Sequence, residues 1–395
     1  MRGCGLGLRG WLAAACLSLL AVPAVAAPAP ADPVAYRLSP EFDAAGALTA
    51  LKVEIRFREG PSGKTRLAWA DDWAGDNALY AHARDMKIVG GDATPDGPGG
   101  WTIQAAPGTP IVATYRVVSA YDHDPTDDDS KQSKPVVRPT WFYAVGEALF
   151  AAPRGQEKAP ATFEWTGAPK DFGFASDLEH LARPGGKAAR PGVVDDIVES
   201  IVAGGRDMRV FEQRPDGARV RVAILGRYGF DDATFARQVF QVLKTERGFW
   251  KEKGSPYLVT MTPTVGAPGR ISLSGTGRAD AFALWVDPTS KLDDLHWLLA
   301  HEYFHTWNPV QLGDLGGESQ EAAGYWFSEG FTDYYAWKLM LGSHQFPPEA
   351  FARQWNAMLR RYAVSPVRDK PNSLIVTDFW KSQAVEKLPY ERGAI

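Results

Sequence analysis

Between residues 51 and 57 apolar and charged side chains alternate: Leu51, Val53, Ile55 and Phe57 against Lys52, Glu54 and Arg56. Period two is the mark of a strand with one buried and one wet face. A second such segment spans 111–121 and a third spans 141–150, with Gly/Pro-rich connections such as Asp96-Gly97-Pro98-Gly99-Gly100 between them. Residues 27–190 therefore predict an N-terminal β-rich domain, a sandwich in outline. Residues 181–192 carry two Pro-Gly steps and read as a linker. Beyond it the pattern is mixed, with a strand at 219–225, a helix over about 231–248 that starts at Asp231 and Asp232, and a strand at 257–261. Gly275-Thr276-Gly277 is read as a turn. The fold class is α+β, with residues 191–395 as the second domain.

Helical periodicity is clearest over 291–308, KLDDLHWLLAHEYFHTWN. Ser290 stands as its N-cap, Leu292, Leu295, Leu298 and Leu299 form the apolar face, and Pro309 closes the run. His301 and His305 are four apart, so both project from one face about 5–6 Å apart at Cβ, within reach of one ion. Two neutral imidazoles suit Zn²⁺ ahead of manganese or cobalt, and the intervening Glu302 is placed to act as general base on a water activated there. A third ligand is required, and it is sought in a second helix over 325–341 that Gly342 stops. There Glu329 and Asp333 are i and i+4 among Trp326, Phe327, Phe331, Tyr334 and Trp337, and charge in apolar company has a partner. Glu329 is assigned to the metal, and Asp333 to the far N–H of His301. His82, His123, His180, His296 and His344 lack such context and read as surface or packing residues, and Asp122 to Asp129 as a solvated acidic loop.

Composition narrows the classes. A chain of 395 residues with 45% hydrophobic content, 12% aromatics and 14 Trp is neither disordered nor fibrous. Arg2 and Arg9, an apolar run from Trp11 to Val22, and Ala24-Val25-Ala26 have the order of a secretory signal peptide over residues 1–26. Cys4 and Cys16 both lie inside it, so cleavage leaves 369 residues with no disulfide, thiol nucleophile or Cys-ligated metal. Losing the two arginines takes the formal charge from −4 to −6, which argues against nucleic acid as a partner. The expectation is an exported protein of the bacterial periplasm or exterior, without stable membrane insertion once the signal is removed.

His301-Glu302-Tyr303-Phe304-His305-Thr306-Trp307-Asn308, followed by Trp326-Phe327-Ser328-Glu329-Gly330-Phe331-Thr332-Asp333-Tyr334-Tyr335, resembles the glycyl aminopeptidase family of gluzincin zinc peptidases. The resemblance implies a thermolysin-like catalytic domain behind a β domain, one zinc per chain, and hydrolysis of peptide or protein substrates near a free N-terminus. It also implies an oxyanion-stabilising tyrosine from a Tyr-x-Lys-Gly motif. Tyr390-Glu391-Arg392-Gly393 matches it with Arg for Lys, making Tyr390 the candidate. Two departures stand out: 277–285 lacks the Gly-Gly-Leu-Glu-His carboxylate that holds a substrate amine, and 309–312 lacks the family's basic residues. An aminopeptidase is thus the first reading, with a zinc endopeptidase and an inactive envelope peptide-binding protein as alternatives. Residues 389–395 read as a helix start without a body, so the catalytic domain is expected to be truncated in its helical part, where the family often continues to a PDZ domain.

Overall fold

The computed structural model describes residues 32–73, 75–180, 192–267, 272–278, 280–309, 311–312 and 318–395. The signal-peptide segment and nearly all of the linker fall outside them. The alternation at 51–57 lies in strand β2 (Leu48–Arg58), which pairs antiparallel with β1 (Val34–Phe42) and β3 (Pro110–Val117). Leu51, Val53 and Ile55 are fully buried there, and Lys52 and Arg56 face water. These strands centre a six-stranded sheet. Strand β4 (Trp141–Val145) is shorter than expected, because a helical turn at Gly146–Leu149 takes over. That turn is seated by Gly146, whose N–H donates to the Ser200 carbonyl at 2.8 Å and whose Cα has no room for a side chain beside the Ile197 and Val198 carbonyls. β5 (Pro160–Trp165) adds parallel to β1, and β6 (Gly173–Ser176), β7 (Ile201–Gly205), β4 and the short strand Val136–Arg138 form a four-stranded sheet. Strands beyond residue 190 thus still belong to the β-rich part: Gly192–Val193 pairs with β5, and β7 lies between β4 and β6.

A five-stranded mixed sheet follows, made of β8 (Arg209–Gln213), β9 (Val220–Ile224), β10 (Tyr257–Pro263), β11 (Leu273–Arg278) and β12 (Ala281–Val286) in the order β8-β9-β10-β12-β11. β9, β10 and β12 run parallel and are buried on both faces, as a doubly covered sheet requires. Val220, Val222, Val259, Met261, Phe282 and Leu284 pack under helices α1 (Asp232–Trp250) and α2 (Leu292–Phe304). The alternate positions Ala223, Leu258, Ala281, Ala283 and Trp285 pack against Tyr143, Val145, Ile201 and Ala203 of the β-rich part. β11 is the edge strand and contains Gly275 and Gly277, which the sequence reading made a turn. Gly275 is there for space, since the Phe282 ring of β12 lies where its side chain would be.

Asp231 caps α1 by accepting from the Thr234 N–H at 2.8 Å. Ser290 does not cap α2 in this way; its hydroxyl is buried without a partner among the described residues. The helix expected over 325–341 is divided into α3 (Glu318–Tyr325), a π-helical segment at Trp326–Phe331 and α4 (Thr332–Gly342), with Gly342 its last residue and not a cap beyond it. The C-terminal residues also differ from expectation. They form a full helix, α5 (Gln383–Ala394), with Pro389 inside it and Tyr390 midway. Among the described residues no helix is long and apolar enough to cross a membrane.

Candidate metal centre

His301 is buried in the last turn of α2, and His305 lies one residue past the helix, four positions on. The π-helical segment presents Glu329 between them, a wide turn of the kind found at functional sites. His301 Nε2 is 3.1 Å from His305 Nε2 and 3.2 Å from Glu329 Oε2, and His305 Nε2 is 3.5 Å from the same oxygen. Four-coordinate zinc with bonds near 2.05 Å places its ligand atoms about 3.3 Å apart, so this triangle fits the donor set and the spacing of such an ion.

Both imidazoles are held from behind. His301 Nδ1 lies 2.7 Å from Asp333 Oδ1, and His305 Nδ1 lies 2.8 Å from the Asn308 carbonyl. Each Nδ1 proton therefore has an acceptor, which leaves both Nε2 lone pairs turned toward the ion position. Asn308 is 2% exposed and donates from Nδ2 to the Phe327 carbonyl (2.9 Å) and to Thr332 Oγ1 (3.1 Å), tying the end of the histidine segment to the segment that carries Glu329. The sequence reading gave Asn308 no role, although it stands in the Trp-Asn pair of the motif.

The electrostatics call for positive charge. Burial works to raise Glu329, but His305 and His301 outweigh it and hold its carboxyl well below the usual range. Burial opposes charge on His301, yet Asp333 and Glu329 override it and raise the imidazole well above its ordinary value. Glu302, next along α2, is pushed up by burial against the pull of His301 and His305. Tyr390 reaches the same place from α5: its ring stacks at 26° on His301 with centroids 6.1 Å apart, and its hydroxyl is directed at Glu329. Burial, then the charges of Glu329 and Glu302, keep the phenol protonated. His301, Glu302, His305, Glu329, Asp333 and Tyr390 are thus brought together. His296 is not among them; its Nε2 is 3.1 Å from Gln345 Oε1.

One buried acid was missed. Glu246 on α1 is 0% exposed, and neither of its oxygens has a partner among the described residues. Its position continues the Val239, Val242, Leu243 face of the helix, so a charged residue on an apolar stripe was the available signal.

Residues 294–384 match the model of the M61 glycyl aminopeptidase family. The fold is that of an aminopeptidase N family protein from Idiomarina loihiensis, with a TM-score of 0.71 at 16% identity over 91% of this chain. This chain spans 65% of the length of that one. An M1 zinc metallopeptidase from Deinococcus radiodurans is also similar, with a TM-score of 0.50 at 15% identity, covering 92% of this chain and 80% of the other. No curated protein matches in sequence. Residues 294–384, which include both histidines, Glu302, Glu329 and Asp333, thus match the M61 glycyl aminopeptidase family, within a chain whose fold is shared with an aminopeptidase N family protein and an M1 zinc metallopeptidase.

Proposed function

We propose that the chain is an exported zinc metallopeptidase that acts on peptides as an aminopeptidase. The observation that carries this is the convergence of His301 Nε2, His305 Nε2 and Glu329 Oε2 within 3.1 to 3.5 Å, with each Nδ1 already engaged. His301, His305 and Glu329 would hold the ion, in keeping with the zinc named for the similar Deinococcus protein. Zinc, when bound, polarises a peptide carbonyl and acidifies a water molecule. Glu302 takes the proton from the attacking water and returns it to the leaving amine, a task suited by the upward push of burial on its carboxyl. Tyr390 keeps its proton and directs it at the developing oxyanion. Asp333 fixes the His301 ring by accepting its Nδ1 proton.

A cavity of about 570 Å³ beside Gly275 and Thr276 of the edge strand β11 favours the aminopeptidase mode through Asp128 on its wall, an acceptor for a free ammonium, while Asp76, Asp127 and Asp129 beside it are held by Ser130, Ser272 and Thr126. The edge strand itself offers backbone groups to an extended peptide. An endopeptidase is the second reading, favoured by Arg278: this β11 residue is turned into the structure, against Glu147 and with its guanidinium 4.0 Å over the Trp73 ring, so β11 presents no carboxylate to an amine.

The purified chain should bind one zinc and release amino acids from peptides, and Glu302→Gln should keep the zinc and lose the hydrolysis. Undiminished turnover in that variant would overturn the reading. Peptides with free and N-acetylated amino termini separate the two modes, an aminopeptidase sparing the acetylated set. Export is tested by the mass of the protein recovered outside the cytoplasm, which should begin at Ala27.

A further inference from the structure

Gly330 follows Glu329 in the π-helical segment, and Gly393 lies one turn beyond Tyr390 on α5. Neither glycine has the positive φ that would demand glycine for conformational reasons. Both sit in helical structure, where glycine is destabilising by about 1 kcal/mol relative to alanine, so packing must account for them. A side-chain carbon on Gly393 would collide with the Trp326 carbonyl oxygen and fall 2.7 Å from Gly330 Cα; one on Gly330 would collide with Gly393 Cα and fall 2.6 Å from the Pro389 carbonyl oxygen. Real Cβ atoms do not come so close, so the two backbones touch only because both residues lack one.

From this contact we infer that Gly330 and Gly393 are positioning residues that set the depth at which Tyr390 enters the metal centre. The inference rests on the catalytic reading of Tyr390 given above. The contact joins the two groups that must meet: Glu329 is bonded in sequence to Gly330, and Tyr390 shares a face of α5 with Gly393. A methyl group at either glycine pushes α5 outward as a body, because backbone and not a yielding side chain stands in the way. The phenol moves with the helix, away from Glu329 and from its stacking on His301. The two histidines are held from other directions, His301 by Asp333 and His305 by the Asn308 carbonyl, and Asn308 also ties their segment to the one that carries Glu329.

The test is Gly393→Ala, with Gly330→Ala opening the same contact from the other side. A crystal structure of the zinc-loaded variant should show the three ligands in place and the Tyr390 hydroxyl withdrawn from Glu329. The kcat should fall about 100-fold, as for loss of one oxyanion donor, with KM little changed. The same substitution in a Tyr390→Phe background should cause no further loss. A phenol still at Glu329, full kcat, or an additive loss in the double variant would overturn the inference. So would loss of the folded state in both alanine variants, read by circular dichroism, since the contact would then serve the fold and not Tyr390. If the wild-type chain cleaves no peptide, the catalytic reading fails by itself, and the position of the phenol in the variant still decides this inference.

Discussion

Asp333 Oδ1 stands 2.7 Å from His301 Nδ1, and both side chains are almost wholly buried, at 8% and 5% exposure. One helix thereby sets the tautomer of a ligand on another. Asp333→Asn can still meet the imidazole with its amide but no longer brings charge to it, and Asp333→Ala leaves it loose. Each should lower zinc affinity about 10- to 100-fold, the alanine variant more, in competition with a chelator. Equal affinity in all three proteins would remove Asp333 from the centre.

Asn308 links the two segments of the site through Phe327 and Thr332. Asn308→Ala leaves the buried Thr332 hydroxyl and the part-buried Phe327 carbonyl without that donor, which should cost about 1–3 kcal/mol in urea unfolding of the metal-free protein. Zinc should bind more weakly as well, because the carbonyl that holds His305 is no longer anchored. Unchanged unfolding midpoints would show that the tie is dispensable.

Glu246 gives a pH-dependent prediction. Burial raises its carboxyl well above the ordinary 4.5, with His301 pulling weakly the other way. The folded chain then holds a proton that the unfolded chain releases near pH 4.5, so this group's stability is fully present below that pH and is lost as pH rises toward the folded value. Glu246→Gln carries no such proton. Its advantage over the wild type should be near zero at pH 4 and grow by about 1.4 kcal/mol per pH unit while the wild-type acid stays protonated. Parallel stability curves from pH 4 to 7 would contradict it.

Arg278 and Glu147 form a buried pair, with side chains 9% and 7% exposed. Removing one charge strands the other, so Arg278→Met should destabilise by about 3–5 kcal/mol, and Arg278→Met with Glu147→Leu should recover most of that. A double variant no more stable than the single one would show that the pair is held by its fit rather than its charge.

Much of the centre was legible because it rests on local spacing. His301 with His305, and Glu329 with Asp333, are one helical turn apart, and the rule that charge among aromatics has a partner pointed to the second pair. The alternation in β2 and the cap at Asp231 were legible for the same reason. What escaped depends on distant chain. Nothing in Trp326 to Phe331 distinguishes a π turn from an α turn, since the apolar pattern is compatible with both. Gly275 and Gly277 have weak strand preference, and only the Phe282 ring beside Gly275 explains a strand there. Pro389 reads as a helix start because proline favours the first turn, whereas α5 begins at Gln383 and packs across the π-helical segment despite it. Asn308 acts through Phe327 and Thr332, far away in sequence, and no periodicity reports that.

The sheet beneath the metal helix is shared property. The side chains on its other face, Ala223, Leu258, Ala283 and Trp285 among them, pack with Leu79, Tyr143, Val145, Ala175, Ile201 and Ala203 of the β-rich part. An excised metal-binding half, begun after the last of those strands, would carry that face bare into water. It would behave as a sticky fragment prone to clump and to seek chaperones, not as a minimal peptidase. The β-rich half therefore acts as a permanent lining of the half that carries the metal centre, and shortening this protein from its front end should abolish solubility before it touches that centre.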